Sequence, residues 1–281
     1  MGALPLFPQG DPGRDRALGA LLGAARGARE ARRFMGGTTA ADWPDAQAVM
    51  IHTAHALLET GTLAPADLLR RLLTDWAQGM GRPRLLRVTD PDRPQRTGHG
   101  FIAGLAVISI LRKTDRRTAQ QEAIHLAALL NASPAETEAL EVASIFIRRA
   151  LLSGDPAHAF EPMEWEGDER VAAVAEGQSL PTDEPRDLVS ALDQARTLIL
   201  NTDSLTIAFD ALVRVGASPA AFIMTGMFAG AVRGAADLGF IANHPDRHPA
   251  TTARLEAIGG QLMARAHDAR ASTRSSPGTH R

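Results

Sequence analysis

Glycine recurs at four-residue intervals in two places, and no other feature of the chain restricts its fold as tightly. Gly19, Gly23 and Gly27 fall within "DRALGALLGAARGARE", and Gly226, Gly230 and Gly234 within "SPAAFIMTGMFAGAVRGAA". The apolar residues of the first stretch, Leu18, Leu21, Leu22 and Ala25, follow a helical period, so i, i+4, i+8 spacing puts each set of glycines on one helix face. A glycine inside a helix costs about 1 kcal/mol relative to alanine. Several kcal/mol must therefore be offset by something that needs the side chains to be missing. Close approach of helix backbones would do this. The same bare faces could also line a ligand cleft, with Gly27 and Gly216 near its mouth, and the two uses are compatible.

The rest of the chain repeats the helical period, and no segment alternates convincingly as a strand would. "DAQAVMIHTAHALLETG" places Ala46, Met50, Ala54 and Leu57 on one face, and Gly61 stops it. "APADLLRRLLTDWAQG" follows with Leu68, Leu69, Leu72, Leu73 and Trp76. Further helices are expected at about 98–112, 117–130, 134–152, 185–200, 204–214, 218–236 and 249–269. Two long polar, proline-rich connections, 79–97 and 153–184, are expected as loops; the helices on either side share one composition, so neither reads as a domain linker. The expectation is an all-α fold: a single compact multi-helix domain over residues 1–270, followed by a disordered tail, 271–281.

Composition removes whole classes of function. There is no cysteine, which excludes disulfides, thiolate zinc sites and cysteine nucleophiles. Net charge is −2 and the pI about 6.5, and aromatics are 4% with no tyrosine. A basic face or a set of base-stacking platforms for nucleic acid is therefore not expected. The longest charge-free apolar stretch, Ser218 to Val232, stops at Arg233; spanning a bilayer takes about 20 apolar residues, so it reads as a buried helix. The N-terminus has no basic region before its short apolar run and does not read as a signal peptide. These signs point to a soluble, cytoplasmic protein with no membrane partner.

The stretch "DWPDAQAVM" looks like the mouth of a helix that ought to offer adjacent carboxylates to a metal, yet it offers only Asp45, with Ala46 beside it. Pro44 suits a first helical turn, and an acid just inside it gains about 0.3–1 kcal/mol from the helix dipole. Asp45 can thus be read as a helix-start residue or as a ligand contact, for example to ribose hydroxyls.

"RALGALLGAARGA" followed by "WPDAQAVMIHTAHALLETGTLAPADLLRRL" resembles the opening of the ADP-ribosylglycohydrolase family, which includes the dinitrogenase-reductase-activating glycohydrolase and the mammalian ADP-ribosylhydrolases. "TGHGFIAGLAVI" resembles the family's middle Gly-Asn-Gly loop, and "VGASPAAFIMTGMFAGAVRGAA" its late Asp-Thr-Asp-Thr stretch and glycine-rich helix. The resemblance runs from about residue 14 to 240 and implies the family's all-α fold. The family's chemical residues carry over poorly. Its Thr-Asp-Asp-Thr stretch falls on Pro44, Asp45, Ala46 and Gln47, and its Asp-Thr-Asp-Thr stretch on Ala217, Ser218, Pro219 and Ala220. The aspartate after its first helix falls on Ala28, the loop asparagine on His99 between Gly98 and Gly100, and its Thr-His on Leu130 and Asn131. In the family two Mg²⁺ ions polarise the ribose and position the attacking water; such hard cations need charged oxygen ligands. The resemblance therefore implies a lapsed metal site, and no cofactor is expected.

Arg26, Arg29, Arg32 and Arg33 stand where the family keeps its acid and the following loop. Guanidinium is a rigid bidentate phosphate partner, so Arg29 and the Gly98–Gly100 backbone could hold a nucleotide diphosphate in place of the metals. Alternatively these arginines form the solvated, dipole-favoured end of a helix. His52 and His55 lie three apart with no third ligand at matching spacing. The ligand-binding candidates are Asp45, Arg29, Gly98, His99, Gly100, Gly216 and Ser218, and the acid–base candidates are Asp45, His99 and Glu30. Three functions follow: a pseudoenzyme that binds ADP-ribose, a related nucleotide or a protein partner; a metal-independent hydrolase or lyase acting on ADP-ribosylated or nucleoside-type glycosidic bonds; or a structural, partner-binding protein without a pocket.

Overall fold

The computed structural model describes residues 11–34, 45–77, 99–181, 186–237 and 249–274. Within them the chain is all-α, with twelve α-helices, one 3₁₀ turn and no strand. They are α1 (Pro12–Phe34), α2 (Asp45–Thr60), α3 (Pro65–Ala77), α4 (Gly104–Leu111), α5 (Arg116–Leu130) and α6 (Pro134–Ser153). The chain continues through α7 (Pro156–Ala159), α8 (Glu169–Ala175), α9 (Leu188–Asn201), α10 (Leu205–Arg214), α11 (Pro219–Asp237) and α12 (Pro249–Arg274).

The two glycine stripes meet each other. α1 and α11 pack antiparallel, with Gly19 against Gly230, Gly23 against Gly226 and Gly27 against the backbone of Phe222. A Cβ built on Gly23 would fall 1.9 Å from the carbonyl oxygen of Gly226, and one on Gly230 would fall 1.8 Å from that of Gly19. No side chain fits there, so the glycines exist for backbone contact rather than to line a cleft. The stripe ends in a break: Gly234, at φ +83°, interrupts α11, and the Asp15 carboxylate accepts the Ala236 N–H at 3.1 Å just beyond it.

Around this pair the core is continuous, with Phe146, Phe222, Phe228, Leu21, Met50 and Ile102 fully buried. α4 is buried along its whole length, which explains why its sequence shows no polar face. Buried polar links tie it down. Arg112 just past α4 bonds Glu122 on α5 at 2.8 Å and the carbonyl of Gly61 after α2, while Arg148 on α6 donates to the carbonyls of Arg112 and Lys113.

Several boundaries differ from the sequence expectation for local reasons. The segment expected as one helix over 98–112 is a 3₁₀ turn, His99–Ala103, leading into α4. The connection 153–184 holds α7 and α8, each capped by an aspartate, Asp155 and Asp168; helices of four and seven residues are too short to show a period. It is pinned to α6 by Glu138, which accepts from Trp165 Nε1 at 3.0 Å and the Asp168 amide at 2.9 Å. α12 runs to Arg274, past the start of the expected tail. α6 begins with local caps: Ser133 and Glu136 form a reciprocal capping box with Pro134 in the first turn. The 79–97 connection and residues 275–281 lie outside the described residues. Among those described, no helix is long and apolar enough to cross a membrane.

Candidate functional site

The antiparallel run of α1 on α11 brings the C-terminal end of α1 beside the N-terminal end of α11. α1, α2 and α11 each also pack on the 3₁₀ turn. The elements carrying Arg29 and Glu30, Asp45, His99 and Gly100, and Gly216 and Ser218 are thus neighbours, although these segments are up to about 190 residues apart in the chain.

The individual residues behave differently. Asp45 opens α2; its side chain, and all of Gly98, lie outside the described residues. His99 and Gly100 are half-buried at the start of the 3₁₀ turn, and the ring Nδ1 of His99 is buried. Arg29 is exposed and Glu30 half-buried. Gly216, at φ +61°, has a local job: it closes α10 in a Schellman pair, with its amide on the Val213 carbonyl and the Ala217 amide on that of Leu212. Its position is required by that turn, and a Cβ there would sit 3.2 Å from Arg186 Nη2. Ser218 is half-buried, and its carbonyl accepts the Ala221 amide at 3.0 Å.

The donor set at the two helix openings does not fit a pair of divalent cations. Ala46 is 1% exposed and Ala217 6%, so methyl groups packed into the core stand at two of the places where the resemblance puts a carboxylate, and Pro219 stands at a third. Gln47 and Ser218 are neutral. Two hard cations require several charged oxygens, and Asp45 is the sole carboxylate of these positions. Among the described residues no group of three or more His, Asp or Glu side chains is placed to hold a metal.

Positive charge is present instead. Arg26 is half-buried, and burial holds its guanidinium below its usual pKa; the Glu30 carboxylate opposes that and Arg29 adds to it. The Arg26 guanidinium lies 6.0 Å over the Phe209 ring. Glu30, a sequence candidate for acid–base work, is thus close enough to Arg26 to act on it electrostatically.

His52 and His55 are committed elsewhere. His52 Nε2 lies 2.5 Å from Asp75 Oδ2 on α3, and the His55 ring stands edge-on to it at 6.3 Å. No local pattern marks this pairing, because Asp75 is 23 residues away on the next helix. At the opposite end of α1 a cavity of about 240 Å³ is lined by Asp11, Arg16, Ile110, Lys113, Leu152 and Met263. None of the sequence candidates reaches it.

No protein-family model and no curated protein matches the chain. Among solved structures it is similar to an ADP-ribosylglycohydrolase-related protein complex, with 22% identity and a TM-score of 0.69 over 90% of this chain and 99% of that one. The chain has an ADP-ribosylglycohydrolase-like all-α fold.

Proposed function

We propose that this protein keeps the ADP-ribosylglycohydrolase scaffold as a binding module, a pseudoenzyme whose cleft takes ADP-ribose, a related nucleotide or a segment of a protein partner. One observation carries the reading. Of the four positions where the resemblance puts paired carboxylates, Ala46 and Ala217 are buried alanines, Pro219 is a proline and Asp45 alone is acidic, while the helices that frame the opening remain packed. Loss of the acids without loss of the frame favours retained binding over retained metal chemistry, since function resides in the site rather than in the fold. The cations of α1 supply the attraction for a diphosphate that divalent ions would otherwise give. Asp45 is then a partner for ribose hydroxyls, and His99 a neutral hydrogen-bonding group beside them.

Calorimetric titration with ADP-ribose in EDTA tests this. Saturable heat at micromolar to millimolar ligand is expected, and a flat titration at millimolar ADP-ribose would sink the binding reading. In parallel, ADP-ribosyl-arginine and ADP-ribosyl-serine peptides are expected to remain uncleaved with or without Mg²⁺. Metal-free cleavage would instead support a hydrolase using Asp45, His99 or Glu30, and Mg²⁺-dependent cleavage would show that the acids lie elsewhere.

A further inference from the structure

α1 begins where α4 and α6 end. Asp11 caps it: its Oδ1 accepts the Gly13 amide at 2.9 Å and its carbonyl the Asp15 amide at 3.1 Å. One turn on, Arg16 Nε donates to the carbonyl of Leu151, in the last turn of α6, at 2.9 Å. A Cβ on Gly154, the C-cap of α6 at φ +69°, would sit 2.9 Å from Arg16 Nη1, so the guanidinium lies close against that turn. Across from it, Arg148 donates to the carbonyls of Arg112 and Lys113 and fixes the backbone just past α4. The Lys113 ammonium lies 3.8 Å from Met263 Sδ on α12. Both cations are thus tied to hydrogen-bonded backbone at helix ends, which limits the freedom a ligand would have to take from them.

The cavity of about 240 Å³ lies where these elements meet. Closely packed interiors leave few voids larger than a water molecule, so a gap of this size is a built space. Its lining has two parts. Ala17, Ile110, Leu151 and Met263 are all at most 5% exposed and form an apolar floor, while Leu152, 53% exposed, marks the mouth. The charged lining is Arg16, Lys113 and Asp11. Two cations against one carboxylate leave one net positive charge, and the N-terminal end of a 23-residue helix adds to it. A monoanion matches that balance. A phosphate dianion would exceed it and offer the floor no apolar surface. The volume falls below the ~300–1,000 Å³ of pockets for drug-sized ligands, so the ligand is smaller than those.

We propose that this cavity is a second ligand site that takes a short aliphatic carboxylate. The hydrocarbon chain lies on Ala17, Ile110, Leu151 and Met263, and Lys113 and Arg16 hold the carboxylate. Arg16 and Arg29 are 13 residues apart on α1, about 20 Å along the helix, so the site shares no residue with the cleft and does not depend on the nucleotide-binding reading.

Calorimetric titration of the full chain with hexanoate, hexan-1-ol, hexylammonium and inorganic phosphate tests both halves of the lining. Hexanoate is expected to saturate at millimolar concentration or below, and hexylammonium and phosphate to give no saturable heat. Lys113→Met keeps the length of the side chain and removes its charge. It is expected to weaken hexanoate about 10- to 100-fold, the size of a charge-assisted hydrogen bond, and to leave hexan-1-ol unchanged. Leu152→Trp narrows the mouth at an exposed position, where folding is not at stake, and is expected to weaken hexanoate and hexan-1-ol together. No saturable heat from hexanoate at tens of millimolar would overturn the proposal. Hexylammonium or phosphate binding as tightly as hexanoate would overturn the ligand class. Equal hexanoate affinity in the native chain and both variants would put the binding elsewhere and overturn the site. Any of these failures leaves the cleft reading standing.

Discussion

Gly23 and Gly61 illustrate that the same residue type serves two unrelated physical ends. Gly61 adopts φ +77° with nothing within 4 Å of where a Cβ would sit, whereas Gly23 is helical and faces the Gly226 carbonyl oxygen. Gly61→Ala meets only the left-handed backbone penalty, about 1 kcal/mol. Gly23→Ala must push two helix backbones apart, at the upper end of overpacking costs, about 3 kcal/mol or more. Denaturant midpoints are expected to fall far more for Gly23→Ala, and equal shifts would show that α1 and α11 are not in backbone contact. The glycine spacing was legible in the sequence, and so was the need for compensation. Which face each stripe met was not, because periodicity identifies a face but not its partner.

Helix identity followed from period and caps; what failed was anything set by a distant partner. The start of α6 could be read from Ser133, Pro134 and Glu136, all within four residues. The break at Gly234 depends on Asp15, and the environment of His55 depends on α12. His55 is held below its usual pKa by burial first, then by Arg254 and by His52, with Glu59 opposing and Arg71 adding to the depression. Its folded pKa therefore lies below the unfolded value near 6.5. Below that value the unfolded chain binds the extra proton first, so stability falls as pH drops from about 6.5 toward the folded pKa, and then levels. Thermal melts of the native chain and His55→Gln between pH 7.5 and 5 should show this component of the slope reduced in the variant. Identical slopes would remove His55 from the balance.

The buried residues form one continuous cluster reaching from α1 to α12, so the whole molecule is expected to unfold in a single cooperative transition. Differential scanning calorimetry with two resolved peaks would contradict the one-domain expectation. Millimolar Mg²⁺ or Mn²⁺ should leave the melting temperature unchanged, while ADP-ribose at 100 times its dissociation constant should add about 2.7 kcal/mol of stability. A metal-induced rise without nucleotide would revive a cation site. The sequence alone determined the all-α class and the glycine faces, and its family resemblance set the expectation of acids replaced at Ala46, Ala217 and Pro219, since each is a matter of period or of side-chain chemistry at one position. Only the tertiary structure decided that the glycine stripes face each other, that Asp75 takes His52, and that Phe34, Phe209 and Phe222 line up. Those are meetings of residues 13 to 211 positions apart, and a linear pattern holds no record of which buried faces close on which.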